Sequence, residues 1–195
     1  MSGAAPAGLR QSMIIVPPPA EAAAIDALRR HWDPHVDLVP PHITIVFPAV
    51  PVANAAARFD ALGAATPPFR VRLSAPRGPA DFTGPDAPAL DFLVRRYPNA
   101  RGWVVAVAEE GGPEMLALRR GASAAIPQPP ELLDFPLYLT LGQTLDDVDE
   151  PLAEARAAFT GASWDVTELL LAQEDAQGRW STAHRSPLRG RVAGG

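Results

Sequence analysis

The chain has 195 residues, 47% of them apolar and 20% charged, with a formal net charge of −5. It is long enough for one sizeable domain or one domain of two lobes. An acidic balance argues against a broad electrostatic hold on duplex DNA, although it leaves room for a small phosphate pocket. All 17 basic residues are arginine, so Schiff-base lysines and the lysine-bearing phosphate loop are excluded. Arginine is then the permanent cation for any phosphate, a role its forked donors suit. The chain has no cysteine, which removes disulfides, thiol nucleophiles and thiolate metal sites. No apolar run approaches the ~20 residues of a membrane span, and Met1–Gln11 lacks the pattern of a signal peptide. These features predict a cytoplasmic protein with no membrane partner.

In chain order, residues 1–11 read as a flexible N-terminus. Met13–Val16 reads as a strand that Pro17–Pro19 end. Ile25, Leu28 and Trp32 recur at helical spacing over Glu21–Trp32, and Pro34 stops that helix. His42–Phe47 is a strand. A helix over Val52–Leu62 is closed by Gly63. Phe69–Leu73 is a strand, and Arg77–Pro88, rich in Gly and Pro, is a long loop of the kind that forms lids or plain surface excursions. Leu90–Val94 and Trp103–Val107 flank a turn at Pro98–Gly102. Glu114–Arg120 reads as a helix with Pro113 at its start and Gly121 after it. Leu137–Leu141 is a strand and Pro151–Phe159 a helix opened by Asp149 and Glu150. Trp164–Leu171 and Arg179–His184 read as a hairpin around Gln173–Gly178. Residues 189–195 read as a flexible tail. The order of elements is an α+β pattern with an approximate internal repeat, and residues 12–188 form one domain.

Two strands carry matching polar pairs. His42 and Thr44 stand in Pro41-His42-Ile43-Thr44-Ile45, and Tyr138 and Thr140 in Pro136-Leu137-Tyr138-Leu139-Thr140-Leu141-Gly142. Residues i and i+2 of a strand share a face, so each pair points one way. Ile43, Ile45 and Phe47 are expected to point the other way. Two such strands meeting across a cleft would build one site.

The pair of motifs resembles the two-histidine phosphoesterase superfamily, specifically its LigT-like branch, often labelled 2′-5′ RNA ligase or RNA 2′,3′-cyclic phosphodiesterase. That family carries two His-x-Thr-x motifs on facing strands. Pro41-His42-Ile43-Thr44-Ile45 matches the first motif. The second differs, because Tyr138 stands where the family has histidine. Trp164 to Leu171, and Gly178-Arg179-Trp180, look like the family's closing strand pair. The resemblance runs from Ser12 to about Leu188. It implies a bilobal α+β fold, with pseudo-duplicated antiparallel sheets and flanking helices around a central cleft. It also implies metal-independent opening of a cyclic phosphodiester of a nucleotide or RNA end, or of another phosphorylated small molecule, with no cofactor.

That chemistry needs a base on the attacking water and an acid on the leaving alkoxide, placed on opposite sides of phosphorus. His42, with an ordinary pKa of ~6.5, suits the base; a tyrosine, ordinarily ~10, is neutral at pH 7 and suits a donor. Hydroxyls of Thr44 and Thr140 suit the non-bridging oxygens. A relative that binds such a ligand without turnover, and a scaffold that keeps only the fold, are the alternatives. His31 and His35 have a metal-like spacing, but Pro34 breaks the helix that would align them, and no metal site is expected. His184 falls near the end of the last strand. Arg95, Arg96 and Arg101 bracket a turn and are either phosphate ligands or solvated charges.

Overall fold

The computed structural model describes residues 10–49, 55–83, 102–125, 136–143 and 145–190. Its strands are β1 (Gln11–Ile15), β2 (Ile43–Ala49), β3 (Phe69–Leu73), β4 (Trp103–Glu110), β5 (Tyr138–Gln143), β6 (Ser163–Val166), β7 (Glu168–Glu174) and β8 (Trp180–Pro187). The helices are α1 (Pro19–Trp32), α2 (Ala55–Ala65), α3 (Gly112–Ala125) and α4 (Asp149–Ala158), and Pro79–Asp81 is a 3-10 turn. The expected strand at Leu90–Val94 and the turn at Pro98–Gly102 lie largely outside the described residues.

All eight strands form one curled antiparallel sheet in the order β6-β3-β4-β5-β2-β1-β7-β8. The chain is β1-α1-β2-α2-β3 followed by β4-α3-β5-α4-β6, and then β7 and β8. The internal repeat is thus a repeat of connectivity. Its two halves are interleaved: α1 leaves β1 but packs on β5, while α3 leaves β4 but packs on β2. The two innermost strands, β5 and β2, are the two that carry the polar pairs.

One face of the sheet holds the main core. Met13, Ile15, Ile43, Ile45, Leu139 and Leu141 are buried there against Ile25, Leu28, Met115 and Leu118 of the helices. The other face carries two smaller apolar clusters with no helical residue among those described, one around Phe82, Trp103 and Val105, the other around Ile14, Leu170 and Ala172. The candidate site lies on this second face.

Four local readings need correction. Pro19 does not end the segment before α1; it begins the helix, where its missing N–H is harmless. The last hairpin is split at Thr167: β6 pairs with β3, whereas β7 pairs with β1 and β8. Gly63 and Gly121, expected as helix stops, both lie inside helices. They are close-approach points. A Cβ on Gly63 would stand 2.8 Å from the carbonyl oxygen of Pro187 in β8, and one on Gly121 would stand 2.8 Å from Leu62 of α2.

Gly63→Ala tests this. In an open helix the change would add up to ~1 kcal/mol of stability. Here a backbone oxygen stands in the way, so the variant should lose about 1–3 kcal/mol, read as a lower urea midpoint at unchanged slope. A stabilised variant would contradict the packing role.

Candidate active site

β2 and β5 are hydrogen-bonded neighbours, with Ile43 opposite Leu139. Both of those side chains are fully buried on the helix side. Antiparallel register then sets His42 level with Thr140 and Thr44 level with Tyr138, all four half-buried on the face opposite the main core. The polar pairs therefore lie side by side on adjacent strands and are not separate walls of a cleft. Because the strands run in opposite directions, His42 and Tyr138 fall on one diagonal of this four-residue lattice and the two threonines on the other. Diagonal neighbours across such a pair are ~7–8 Å apart, and direct neighbours about 4.5–5.5 Å. A tetrahedral phosphate fits between the members of a diagonal.

Val105 stands opposite Thr140, and Val107 opposite Tyr138, so β4 extends the face. Tyr138 packs against the cluster of Phe82, Trp103 and Val105, in which the Phe82 and Trp103 rings meet edge to face at 5.1 Å. Arg77, with its guanidinium 4.3 Å from the Phe82 ring centre, also donates to the carbonyl of Asp81 at 2.6 Å. The described part of the expected 77–88 loop is thus tied to the sheet, and Arg77 itself bridges to Val105. Beside Val107 lies a cavity of about 390 Å³ lined by Ser74, Arg77, Asp81, Glu109 and Arg156.

On the other side, Ile14 of β1 stands opposite Thr44. The register of β1 against β2 shifts between Ile14 and Met13, a bulge that turns Val46 into the main core beside Met13. Phe47, expected on the core side, is carried to the opposite face. There its ring lies 5.8 Å from that of Trp180, which packs on the Ile14 cluster. A second bulge, between Thr140 and Gly142 of β5, turns Gly142 toward Trp32 of α1 and leaves Gln143 level with Trp103. A 460 Å³ cavity lined by Val16, Pro17, Glu168, Leu170 and Arg185, among others, adjoins this half of the face.

His42 immediately precedes β2. Its Nδ1 lies 2.8 Å from the carbonyl oxygen of Pro40. A carbonyl only accepts, so Nδ1 carries the proton and, in the neutral ring, Nε2 keeps a free lone pair. Burial pushes the His42 pKa below the ordinary histidine value; the Pro40 hydrogen bond opposes this, and the Arg29 charge adds to it. The ring is therefore neutral at neutral pH. Arg119, itself buried, reaches from α3 to donate to the carbonyls of Ile45 at 2.9 Å and Thr44 at 3.3 Å. It braces the strand where the bulge begins.

The remaining histidines go elsewhere. His31 contacts Glu154 of α4 at 2.6 Å, while His35 contacts Gln143 at 3.1 Å, so the two do not converge on one ion. His184 meets Asp60 of α2 at 2.8 Å, away from the motif residues. Arg95, Arg96 and Arg101 lie outside the described residues. Arg29, Asp33, Gln143 and Arg119 do not stand out in the sequence. Arg29 and Asp33 have the i, i+4 spacing of an ordinary surface pair, and nothing in the sequence distinguishes a buried one.

The sequence profile of the 2'-5' RNA ligase superfamily matches residues 16–178, and the chain belongs to that family. Comparison with curated proteins gives no significant match. Among solved structures, TT0787 of Thermus thermophilus is 17% identical, with a TM-score of 0.58, covering 94% of this chain and 100% of its own. E. coli LigT complexed with 3'-AMP is 16% identical with a TM-score of 0.58, covering 93% and 98%. E. coli LigT complexed with NADP+ is 17% identical with a TM-score of 0.52, covering 93% and 98%. At these identities the likeness establishes the fold, which is of the LigT type over nearly the whole chain.

The lowered His42 pKa gives a direct prediction. Followed by NMR, the His42 ring should titrate at a pH below ~6.5. The unfolded chain then binds the proton first as pH falls. This residue's contribution to stability is thus fully present above that value and is lost on acidification below it. A midpoint above the ordinary value would contradict the burial argument.

Proposed function

We propose that this protein opens a cyclic phosphodiester of a nucleotide or RNA end, without a metal or cofactor. The observation that carries the reading is the antiparallel lattice of His42, Thr140, Thr44 and Tyr138, in which a lone-pair-bearing Nε2 and a phenol occupy opposite corners. Membership of the 2'-5' RNA ligase superfamily supports phosphoesterase-type chemistry. The 3'-AMP and NADP+ complexes of LigT support a small phosphorylated ligand.

The reacting phosphate lies over the centre of the lattice. Nε2 of His42 takes a proton from water as its oxygen bonds to phosphorus. The opposite phosphorus–oxygen bond breaks, and the hydroxyl of Tyr138 gives its proton to the leaving ribose oxygen. Hydroxyls of Thr44 and Thr140 donate to the non-bridging oxygens, where charge is concentrated in the transition state. Water exchanges the proton from imidazolium to phenolate, which restores both groups. The product is a ring-opened phosphomonoester.

Tyr138 also supports a second reading. A phenol in place of the family's second imidazole is a weaker proton donor near neutral pH, and removing one efficient general catalyst costs typically 10²–10⁴-fold. The same lattice would then bind a phosphorylated ligand with little turnover.

The assay is release of ring-opened monophosphate from a panel of 2′,3′-cyclic nucleotides, with and without chelator, alongside ligand binding. Turnover should survive chelation, and His42→Ala should lower it by about 10²–10⁴-fold. Undiminished turnover in His42→Ala would remove His42 from the mechanism. Tyr138→His distinguishes the two readings: a gain in turnover at similar affinity marks a disabled site, and a loss marks Tyr138 as the working donor.

A further inference from the structure

The segment that delivers His42 to the sheet ends in two prolines. Pro40 and Pro41 have no N–H to donate. The N–H groups of Leu38 and Val39 donate to the carbonyl of His35 at 2.9 and 3.1 Å, and the carbonyls of the segment supply its ties to the rest of the fold. That of Leu38 accepts from the backbone N–H of Trp180 at 2.7 Å, that of Val39 accepts from Arg29 at 3.0 Å, and that of Pro40 takes the Nδ1 proton of His42.

Arg29 is in turn held by Asp33. Nε and Nη2 of Arg29 donate to Oδ2 of Asp33 at 2.9 and 2.8 Å, and Nη1 donates to Asp26 at 2.7 Å. The Asp33 side chain has no exposure at all, and that of Arg29 is 2% exposed. The second carboxylate oxygen, Oδ1, accepts from the backbone N–H of His35 at 2.9 Å and from Nε2 of Gln143 at 2.8 Å. Gln143 is the last residue of β5, the strand that begins with Tyr138. One buried carboxylate thus ties together the end of α1, the loop that bears Pro40 and the far end of the second motif strand.

The geometry points to Asp33 as a positioning residue for His42. With Arg29 and Gln143, it holds the Pro40 carbonyl where it selects the ring tautomer whose Nε2 lone pair faces the site, in register with β5. Its bearing on turnover rests on the proposed role of His42 as base; its bearing on the tautomer does not. Asp33 touches no substrate. It acts through a carbonyl seven residues along the chain and through the strand beside it.

The test is imidazole ¹⁵N NMR of the full chain, with His42 signals assigned by their loss in His42→Gln. Wild type should show one neutral tautomer, protonated at Nδ1. Gln143→Leu cuts the tie to β5 but leaves the Arg29–Asp33 pair intact, and Asp33→Asn removes the charge at nearly constant size. Both variants should show the second tautomer appearing at His42. In both, kcat on a cyclic nucleotide should fall about 10–100-fold, as expected for a misplaced catalytic group, with KM within about twofold. If Asp33→Asn does not fold, Gln143→Leu decides alone. An unchanged single tautomer in the folded variants overturns the proposal, even if kcat falls, because the effect is then merely structural. If wild type turns over no cyclic nucleotide, the proposed function fails, while a tautomer shift in the variants still upholds the assignment of Asp33.

Discussion

The pairing of β2 with β5 is the contact on which the rest of the molecule depends. It joins the two halves of the sheet edge to edge at the centre of the strand order. Ile43 and Leu139, opposite each other there, have no exposure and lock the register from the helix side. A slip of one residue would turn both buried side chains to the other face. It would also pull His42 and Tyr138 off their diagonal. The same apolar contact that joins the halves therefore sets the spacing of the polar lattice. α1 and α3 reinforce it by crossing, each packing on the central strand of the half it does not follow.

Much of this was legible in the sequence because it is periodic or punctuated. The i, i+2 polar pairs survive as expected, since alternation along a short strand is a local rule. Six strands and four helices lie close to their expected positions because apolar spacing marks them. What escaped was non-local. Phe47 changed face because one extra residue in β2 bulges against β1, and a bulge is invisible without the partner strand. Gly63 and Gly121 looked like helix stops because glycine usually serves that role. Their actual constraint is the backbone of β8 and a leucine of α2, which a linear reading cannot bring near. Thr167 looked like the interior of one strand, yet the strand changes partner there, and only the curl of the whole sheet brings that about.

Two buried arginines flank the first motif strand, and neither is a natural choice for stability. Removing a guanidinium from water is costly, and a buried pair of charges is often replaceable by apolar side chains without loss. Arg119 nevertheless reaches the carbonyls of Thr44 and Ile45, and Arg29 reaches that of Val39. These are carbonyls at a bulge and beside a pair of prolines, where the regular ladder cannot satisfy them. A long planar donor fits such irregular backbone, as a shorter side chain would not. Both arginines are thus explained by the shape of the segment that carries His42 and Thr44.

The two ends of the His42–Tyr138 diagonal differ in chemistry, and on the proposed reading this sets the direction of proton flow. His42 is oriented by a directional hydrogen bond from Nδ1, which leaves one nitrogen free to accept. The Tyr138 ring packs against Phe82, Trp103 and Val105, which fixes its plane. An imidazole pair can exchange roles, each ring giving or taking a proton as the step requires. An imidazole and a phenol cannot do so equally, since the phenol is neutral near pH 7 and is a poor base. On the proposed reading, proton uptake belongs to the His42 corner and donation to the Tyr138 corner. Attack then enters from the side of the loop at residues 33–41, and the leaving oxygen departs toward the apolar wall formed by β4.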